Sequence, residues 1–368
     1  MTEARYPELS GLYRAPYTAA DNPNVVIEPT LACNLSCAHC YRNRHNPANR
    51  RARMTLNEVT AYIDEALRLR KFHTLSFLGG EPLLYPELDH AVLIARKRGL
   101  AVGVFTNGEL LHKYRARELQ AAGVGYVCVH IDRHQGRTSS EADTTALHAQ
   151  FCDIFRKLPG MNLGLGMIVH ADDLSALPRL AQFCQANADV LRFVNLSLLG
   201  PVPPENATPA EVMAVCRNVD AFQRHASEAI RAAFGAEYCS YLGSKFCADT
   251  PGKLVAATAY GPAGHVEQMS PHQYAELCER FRAAHDCHPY LLSKACTDEF
   301  AAHSGRTTQN PWQYLVVSMS PLLLEDGRWN VCHVCTESVL HEHRFVPSCQ
   351  LDMLQSFDRR VEASLREV

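Results

Sequence analysis

"VVIEPTLACNLSCAHC", residues 25–40, decides how the rest of the chain is read. An apolar run, Val25 to Thr30, closes on Pro29–Thr30, and Cys33, Cys37 and Cys40 follow at once. Their spacing is C-x3-C-x2-C, and the next cysteine is Cys128, so no fourth thiol is local. A short buried strand that empties into a ligand-bearing loop belongs to parallel α/β folds, where working side chains stand beyond the carboxyl ends of strands.

The sequence on either side follows the same rhythm. Further apolar runs read as strands: "TLSFLGG" (74–80), "LAVGVFTN" (100–107), "YVCVHID" (126–132), "LGLGMIVH" (163–170) and "LRFVNLSLL" (191–199). Between them lie helical patterns such as "TLNEVTAYIDEALRLRK", "HAVLIARKRG", "HKYRARELQAAG" and "LSALPRLAQFCQAN", two of them stopped by glycine. Near-continuous apolar strands alternating with helices indicate a parallel sheet covered by helices. The units fit a partial (β/α)6 barrel better than a full eight-unit one. The expected layout is a lead over 1–23, the barrel over 24–235, and a smaller, irregular, cysteine-rich C-terminal region over 236–368. That last part holds a helical stretch (270–285) and an apolar run (314–324), and closes the barrel's open side.

Composition excludes several classes. The chain has 368 residues, 47% hydrophobic and 20% charged, with a net charge of −3. That is an ordinary globular composition with no broad attraction for nucleic acid or anionic lipid. No apolar run approaches the roughly 18 residues of a membrane span. The first residues lack a secretory apolar core, so the reading is cytoplasmic. Fifteen cysteines, an odd number, in a reducing compartment point to metal or redox ligands where they cluster. The scattered ones, Cys128, Cys152, Cys184, Cys216, Cys239 and Cys278, read as small buried apolar residues.

Three clustered cysteines are one short of a closed zinc site and one short of the usual four ligands of a 4Fe–4S cluster. A cluster held by three keeps an open coordination position. The alternative is a zinc knuckle completed by His39 or by a distant residue. One βα unit on, "LGGEPLL" (78–84) ends the second strand: two glycines let backbone approach a ligand, and Glu81 offers a carboxylate to an ammonium group.

Taken together, "CNLSCAHC" and "GGEP" resemble the radical S-adenosylmethionine (radical SAM) superfamily, over roughly residues 24–200. "FTNG" (105–108) and "VHID" (129–132) look like that family's third- and fourth-strand ends. The resemblance implies a 4Fe–4S cluster on Cys33, Cys37 and Cys40 and S-adenosylmethionine chelated at its open iron. It places His39, Gly79, Gly80, Glu81, Pro82, Asn107, His130, Asp132 and His170 around the cofactor, with His130 and Asp132 as catalytic candidates. His130 and Arg133 stand where the family often has serine and glycine. A reducing partner such as flavodoxin or ferredoxin is implied as well.

A second cysteine group lies in "EDGRWNVCHVCTESVLHEHRFVPSCQLD" (325–352), where Cys332, Cys335 and Cys349 are spaced C-x2-C-x13-C. Gly327 to Cys332 resembles the opening of SPASM or shorter twitch extensions, implying an auxiliary iron–sulfur cluster. Cys296 is the favoured fourth ligand, with Cys287 behind it, and zinc with His341 and His343 is the runner-up.

The function expected is hydrogen abstraction from a small-molecule or natural-product intermediate by a 5′-deoxyadenosyl radical. The alternatives are modification of a ribosomally made peptide and, in another class, a noncatalytic iron–sulfur or zinc protein. The short stretch before Cys33 favours the small molecule, and no cobalamin-binding segment precedes the barrel.

Overall fold

The computed structural model describes residues 6, 9–37, 40, 52–138, 140–198, 209–247, 250–261, 265–306, 310–324 and 328–349. Strands β1 (Tyr13–Arg14) and β2 (Asn24–Ile27) precede helix α1 (Leu56–Leu69). The alternation continues through β3 (Thr74–Phe77), α2 (Leu88–Lys97), β4 (Ala101–Thr106), α3 (Lys113–Ala122) and β5 (Val124–His130). Next come α4 (Glu141–Phe155), β6 (Asn162–Val169), α5 (Leu177–Ala186), β7 (Leu191–Leu198) and the long α6 (Pro209–Phe234). Every apolar run read as a strand from the sequence is one, within a few residues at each end.

Local chemistry explains the element ends. Thr55 and Glu58 form a reciprocal capping box at the start of α1, whose Val59, Ile63 and Ala66 face the core. Gly123 ends α3 with φ of 104°, a left-handed conformation that favours glycine. Strands β2 to β7 pair in parallel and in chain order, and β2 and β3 are buried along their whole length. That is why they read as unbroken apolar runs. Cys128, Cys152, Cys184, Cys239 and Cys278 are buried as expected; the side chain of Cys216 lies outside the described residues.

The βα rhythm does stop near Ala236, but the sheet does not. Strands β8 (Tyr238–Gly243), β9 (Pro251–Tyr260) and β10 (Val266–Gln268) are antiparallel neighbours. Helices α7 (Pro271–His285) and α8 (Lys294–His303) lead to β11 (Gln313–Ser318), which lies parallel to β7 and antiparallel to β9. After β12 (Leu322–Leu323) and β13 (Trp329–Asn330), the hairpin β14 (Ser338–His341) and β15 (Arg344–Pro347) joins the opposite edge beside β2. The result is a 13-stranded sheet, so the C-terminal region extends the barrel at both edges instead of forming a separate body.

The hairpin is fastened from α1. The Tyr62 hydroxyl donates to Val26 O at 2.5 Å and accepts from Leu340 N at 2.6 Å. Arg70, whose pKa burial pulls down to about 10, donates to Ser338 Oγ at 2.7 Å and stacks 3.7 Å over Phe345. A second core, with Tyr126, Phe193, Cys296, Phe300 and Tyr314, packs α7 and α8 against the sheet.

Candidate active site

The cysteine loop is gripped at its root by the turn that follows β3. Gly80 N donates to Thr30 O at 3.0 Å and Glu81 N to Ala32 O at 2.8 Å. A Cβ on Gly80 would fall 2.2 Å from Ala32 O, and one on Gly79 2.3 Å from Thr30 O. Both glycines are therefore required by close backbone approach. The returning chain is tied in as well, with Met54 N donating to Pro29 O at 2.8 Å.

Cys33, Cys37 and Cys40, all half-buried, line one cavity of about 180 Å³ at the carboxyl ends of the parallel strands. Gly79, Gly80, Asn107, His130 and Asp132 line the same cavity. Asn107 Nδ2 donates to Asn34 Oδ1 at 2.8 Å and lies 3.7 Å from Cys33 Sγ, holding the loop at its first cysteine. The Cys37 thiol is pushed up to about 11 by burial and then by Cys40, Asp132 and Cys33, with Arg137 opposing. A thiol crowded in this way by two others belongs to a donor set that a bound cation stabilises.

Asp132 is buried and holds several donors. Its Oδ1 accepts from His134 N at 2.9 Å, and its Oδ2 pairs with His130 Nε2 at 3.0 Å and accepts from Ile168 N at 3.4 Å. Burial opposes ionisation, yet His130 and the backbone donors win and hold the carboxyl below its usual range. Asp132 and Ile168 also open onto a second recess of about 210 Å³, lined by Met167, Val169, Leu177, Leu180 and the buried His148.

Three residues expected around the cofactor do not line the cavity. Glu81 is fully buried and turned away from the cavity. Its oxygens accept from Leu83 N at 3.0 Å, Thr106 Oγ1 at 2.7 Å and Asn107 N at 2.8 Å, which makes it a brace between β3 and β4. Pro82 is buried as the first residue of the turn Pro82–Leu84. His170 stands behind the cavity wall, its ring 4.1 Å from that of His134. His39 lies outside the described residues.

Sequence reasoning missed Leu35, Leu78, Phe105, His134, Gln135 and Ile168 on the cavity wall. Leu78, Phe105 and Ile168 sit at the ends of strands already recognised, so the carboxyl-end rule could have found them. His134 and Gln135 belong to the short turn Arg133–Gln135, which leaves no periodic signal.

The C-terminal cysteines also converge. Cys332 and Cys335 are in thiol contact, and Cys349 is half-buried near Cys335. The x13 spacing is the hairpin itself: Ser338 pairs with Pro347, and Ser348 N donates to Glu337 O at 2.8 Å, which returns Cys349 to Cys335. Asn22 and Asn24 hold the loop from below, through Cys335 O at 2.9 Å and Thr336 O at 2.6 Å.

Cys296 is set apart from this group. It is buried on α8 in the second core, where Cys278, Glu299 and Cys287 act on its thiol. Cys287 belongs to that neighbourhood too. His341 and His343 sit at the hairpin tip, with His343 paired to Glu65.

Part of the chain is similar to known proteins. Residues 27–157 match the family described as the Radical SAM superfamily. Fe-coproporphyrin III synthase of Methanosarcina barkeri is 33% identical over 112 residues, covering 30% of this chain and 27% of that protein. PqqA peptide cyclase of Streptomyces rochei is 26% identical over 179 residues, 48% of this chain and 49% of that protein. The solved structure of Streptococcus suis SuiB bound to precursor peptide SuiA aligns with a TM-score of 0.42 and 14% identity, covering 58% of this chain and 47% of that chain. The matched stretches span less than half of each curated relative. No helix among the described residues is long and apolar enough to cross a membrane.

Proposed function

We propose that this chain, whose residues 27–157 carry a radical SAM domain, abstracts a hydrogen atom from a small-molecule or natural-product intermediate. The observation that carries the reading is the convergence of Cys33, Cys37, Cys40, Gly79, Gly80 and Asn107 on one cavity. That donor set fits a 4Fe–4S cluster with S-adenosylmethionine beside it: three soft sulfur ligands, bare backbone, and a polar wall. Bound there, the pair supplies a reductively generated 5′-deoxyadenosyl radical, with the electron delivered by a partner such as flavodoxin or ferredoxin.

The chain's own residues do the positioning. Gly79 and Gly80 bring backbone to the ligand, and Asn107 fixes the cysteine loop. His130 and Asp132 form an oriented imidazole–carboxylate pair at the cavity wall, the side of the site where a hydroxyl or amine of cofactor or substrate would be held. Leu35, Leu78, Phe105 and Ile168 supply apolar walls, which keep water from a reactive intermediate. Cys332, Cys335 and Cys349 form an auxiliary metal centre. A peptide substrate is the second reading, favoured by the similarity to a PqqA peptide cyclase over about half the chain.

The test is anaerobic reconstitution followed by reduction with S-adenosylmethionine present. Iron binding and release of 5′-deoxyadenosine are expected, and both should vanish when Cys33, Cys37 and Cys40 are replaced by alanine. A triple variant that releases 5′-deoxyadenosine at the original rate would reject the reading.

A further inference from the structure

The buried face of α4 changes character along its length. Its last three buried positions, Phe151, Cys152 and Phe155, are apolar, but its first two, Thr144 and His148, carry polar atoms. A helix that only covers a sheet is apolar along that whole side. Thr144 and His148 instead line the recess of about 210 Å³ that shares Asp132 and Ile168 with the cysteine cavity. The six-residue turn Ala171–Ala176, between β6 and α5, supplies another of its walls.

We infer that this recess seats the substrate as a primary amine on a small apolar body, with Asp132 and His148 Nδ1 accepting from the nitrogen. This rests on the reading of the cysteine cavity as the site of hydrogen abstraction.

Size and lining set the body of the ligand. Met167, Val169, Leu177 and Leu180 give the recess an apolar surface. An apolar cavity of about 150 Å³ accepts a benzene ring, so this one takes a ring with a short arm.

The acceptors set its polar end. His148 is 1% exposed, and its Nε2 pairs with Ile131 O at 3.2 Å. A carbonyl only accepts, so the hydrogen is on Nε2 and Nδ1 keeps its lone pair. No described residue donates to that nitrogen. Burial lowers the pKa of the ring to about 4, so the lone pair persists at neutral pH. A buried acceptor without a donor is costly, and a ligand N–H removes that cost. Asp132 follows Ile131 in the chain. Its carboxylate meets His130, His134 N and Ile168 N, which leaves room for one more donor.

Charge then separates an amine from an acid. Asp132, Glu141, Asp172 and Asp173 line the recess. Two guanidiniums answer these four carboxylates: Arg133 pairs with Asp172 and Asp173, and Arg179 with Glu141. An ammonium is favoured there and a carboxylate repelled. With the nitrogen at Asp132, the carbon that bears it is the part of the ligand nearest the cysteine cavity.

The experiment titrates the full chain, reconstituted anaerobically with S-adenosylmethionine bound, and reads heat on addition of 2-phenylethylamine, phenylacetate or toluene. The amine should bind, and phenylacetate at least about tenfold more weakly. Leu180→Trp fills the recess and should abolish binding of amine and toluene alike. Thr145→Trp, at an exposed position of the lining, serves where that variant fails to fold. His148→Gln keeps an amide N–H for Ile131 O and removes the Nδ1 acceptor. The amine should then weaken about 3–10-fold while toluene is unchanged. An amine that does not bind, binds no better than phenylacetate, or binds alike in every variant overturns the inference. So does displacement of the amine by S-adenosylmethionine, which would give the recess to the cofactor. Binding needs no reduction, so failure of the radical reading is seen separately. It would show as absence of 5′-deoxyadenosine from reduced protein that still binds the amine, which keeps the amine site and removes its link to hydrogen abstraction.

Discussion

Replacing Glu81 should unfasten the cysteine loop before it touches cofactor affinity. The carboxylate is fully buried and satisfies two backbone N–H groups and one hydroxyl. In Glu81→Gln, the oxygen that accepts from Leu83 N and Thr106 Oγ1 can be kept, but the new amide nitrogen meets Asn107 N, donor against donor. One orphaned buried N–H costs about 1–3 kcal/mol. Glu81→Ala orphans both N–H groups. Thr106 loses less because its hydroxyl can turn, and part of the cost is recovered because burial already pushes the Glu81 pKa up. The expected loss is about 3–5 kcal/mol, a large part of the ~5–15 kcal/mol that holds a domain together. The assay is anaerobic urea unfolding followed by circular dichroism, with iron measured on the same samples. Stability and iron should fall together, glutamine less than alanine. If both variants keep wild-type stability and iron yet lose S-adenosylmethionine affinity, the carboxylate reaches the cofactor and the brace argument fails.

Other outcomes follow from the same contacts. Gly80→Ala puts a Cβ 2.2 Å from Ala32 O and 2.5 Å from Leu31 O. Backbone cannot yield there, so a cost of about 1–3 kcal/mol or more and poor iron retention are expected; wild-type iron content would contradict the close approach. His148 is buried, bonded to Ile131 O, and its pKa is lowered by burial from 6.5 to about 4. Between those values the unfolded chain binds the proton and the folded chain does not, so stability falls as pH drops through this window, by about 3 kcal/mol in all. Melting temperature against pH should be flatter in His148→Gln, and parallel curves would refute this. Asn24→Ala removes the donor to Thr336 O and the acceptor of Ser76 Oγ. In metal-free protein Cys335 should then be alkylated faster, and an unchanged rate would show that other contacts hold the loop.

The barrel was legible in the sequence because buried parallel strands carry a one-dimensional signature, an apolar run between amphipathic helices. Helix α4 was less visible because its buried face mixes Thr144 and His148 with Phe151, Cys152 and Phe155. The signature fails after Ala236, since β8, β9 and β11 enter the same sheet without an intervening helix at every step. A chain-order argument therefore does not tell where these strands join the sheet, which is at both of its edges. Site residues divide in the same way. Spacing located Cys33, Cys37 and Cys40, because all three lie on one loop. It could not place Cys296, since nothing local records that α8 packs into the second core. Nor could it tell that Glu81 turns inward, because the identity of an acid does not encode which donors surround it.

The two cysteine groups are joined through the interior of the barrel by bonds that none of these motifs mentions. Asn24 donates to Thr336 O beside Cys335 and accepts from Ser76 Oγ at 2.8 Å, and Ser76 in turn meets the Tyr126 hydroxyl at 2.6 Å. Tyr126 packs edge-on against Phe105, on the wall of the first cavity, with ring centroids 6.2 Å apart. Tyr126 also packs against Tyr290, at 6.1 Å, which lines a small recess with Lys253 and Glu337. A buried hydroxyl chain of this kind is costly when half satisfied, so each member fixes the next. Strands β2, β3 and β5 are thereby held in one register by polar atoms as well as by apolar packing. The consequence is geometric: the C-terminal loop cannot shift on Asn24 without disturbing the aromatic wall beside the first cysteine group. The two cysteine groups are thus the ends of one chain of polar and aromatic contacts through the barrel.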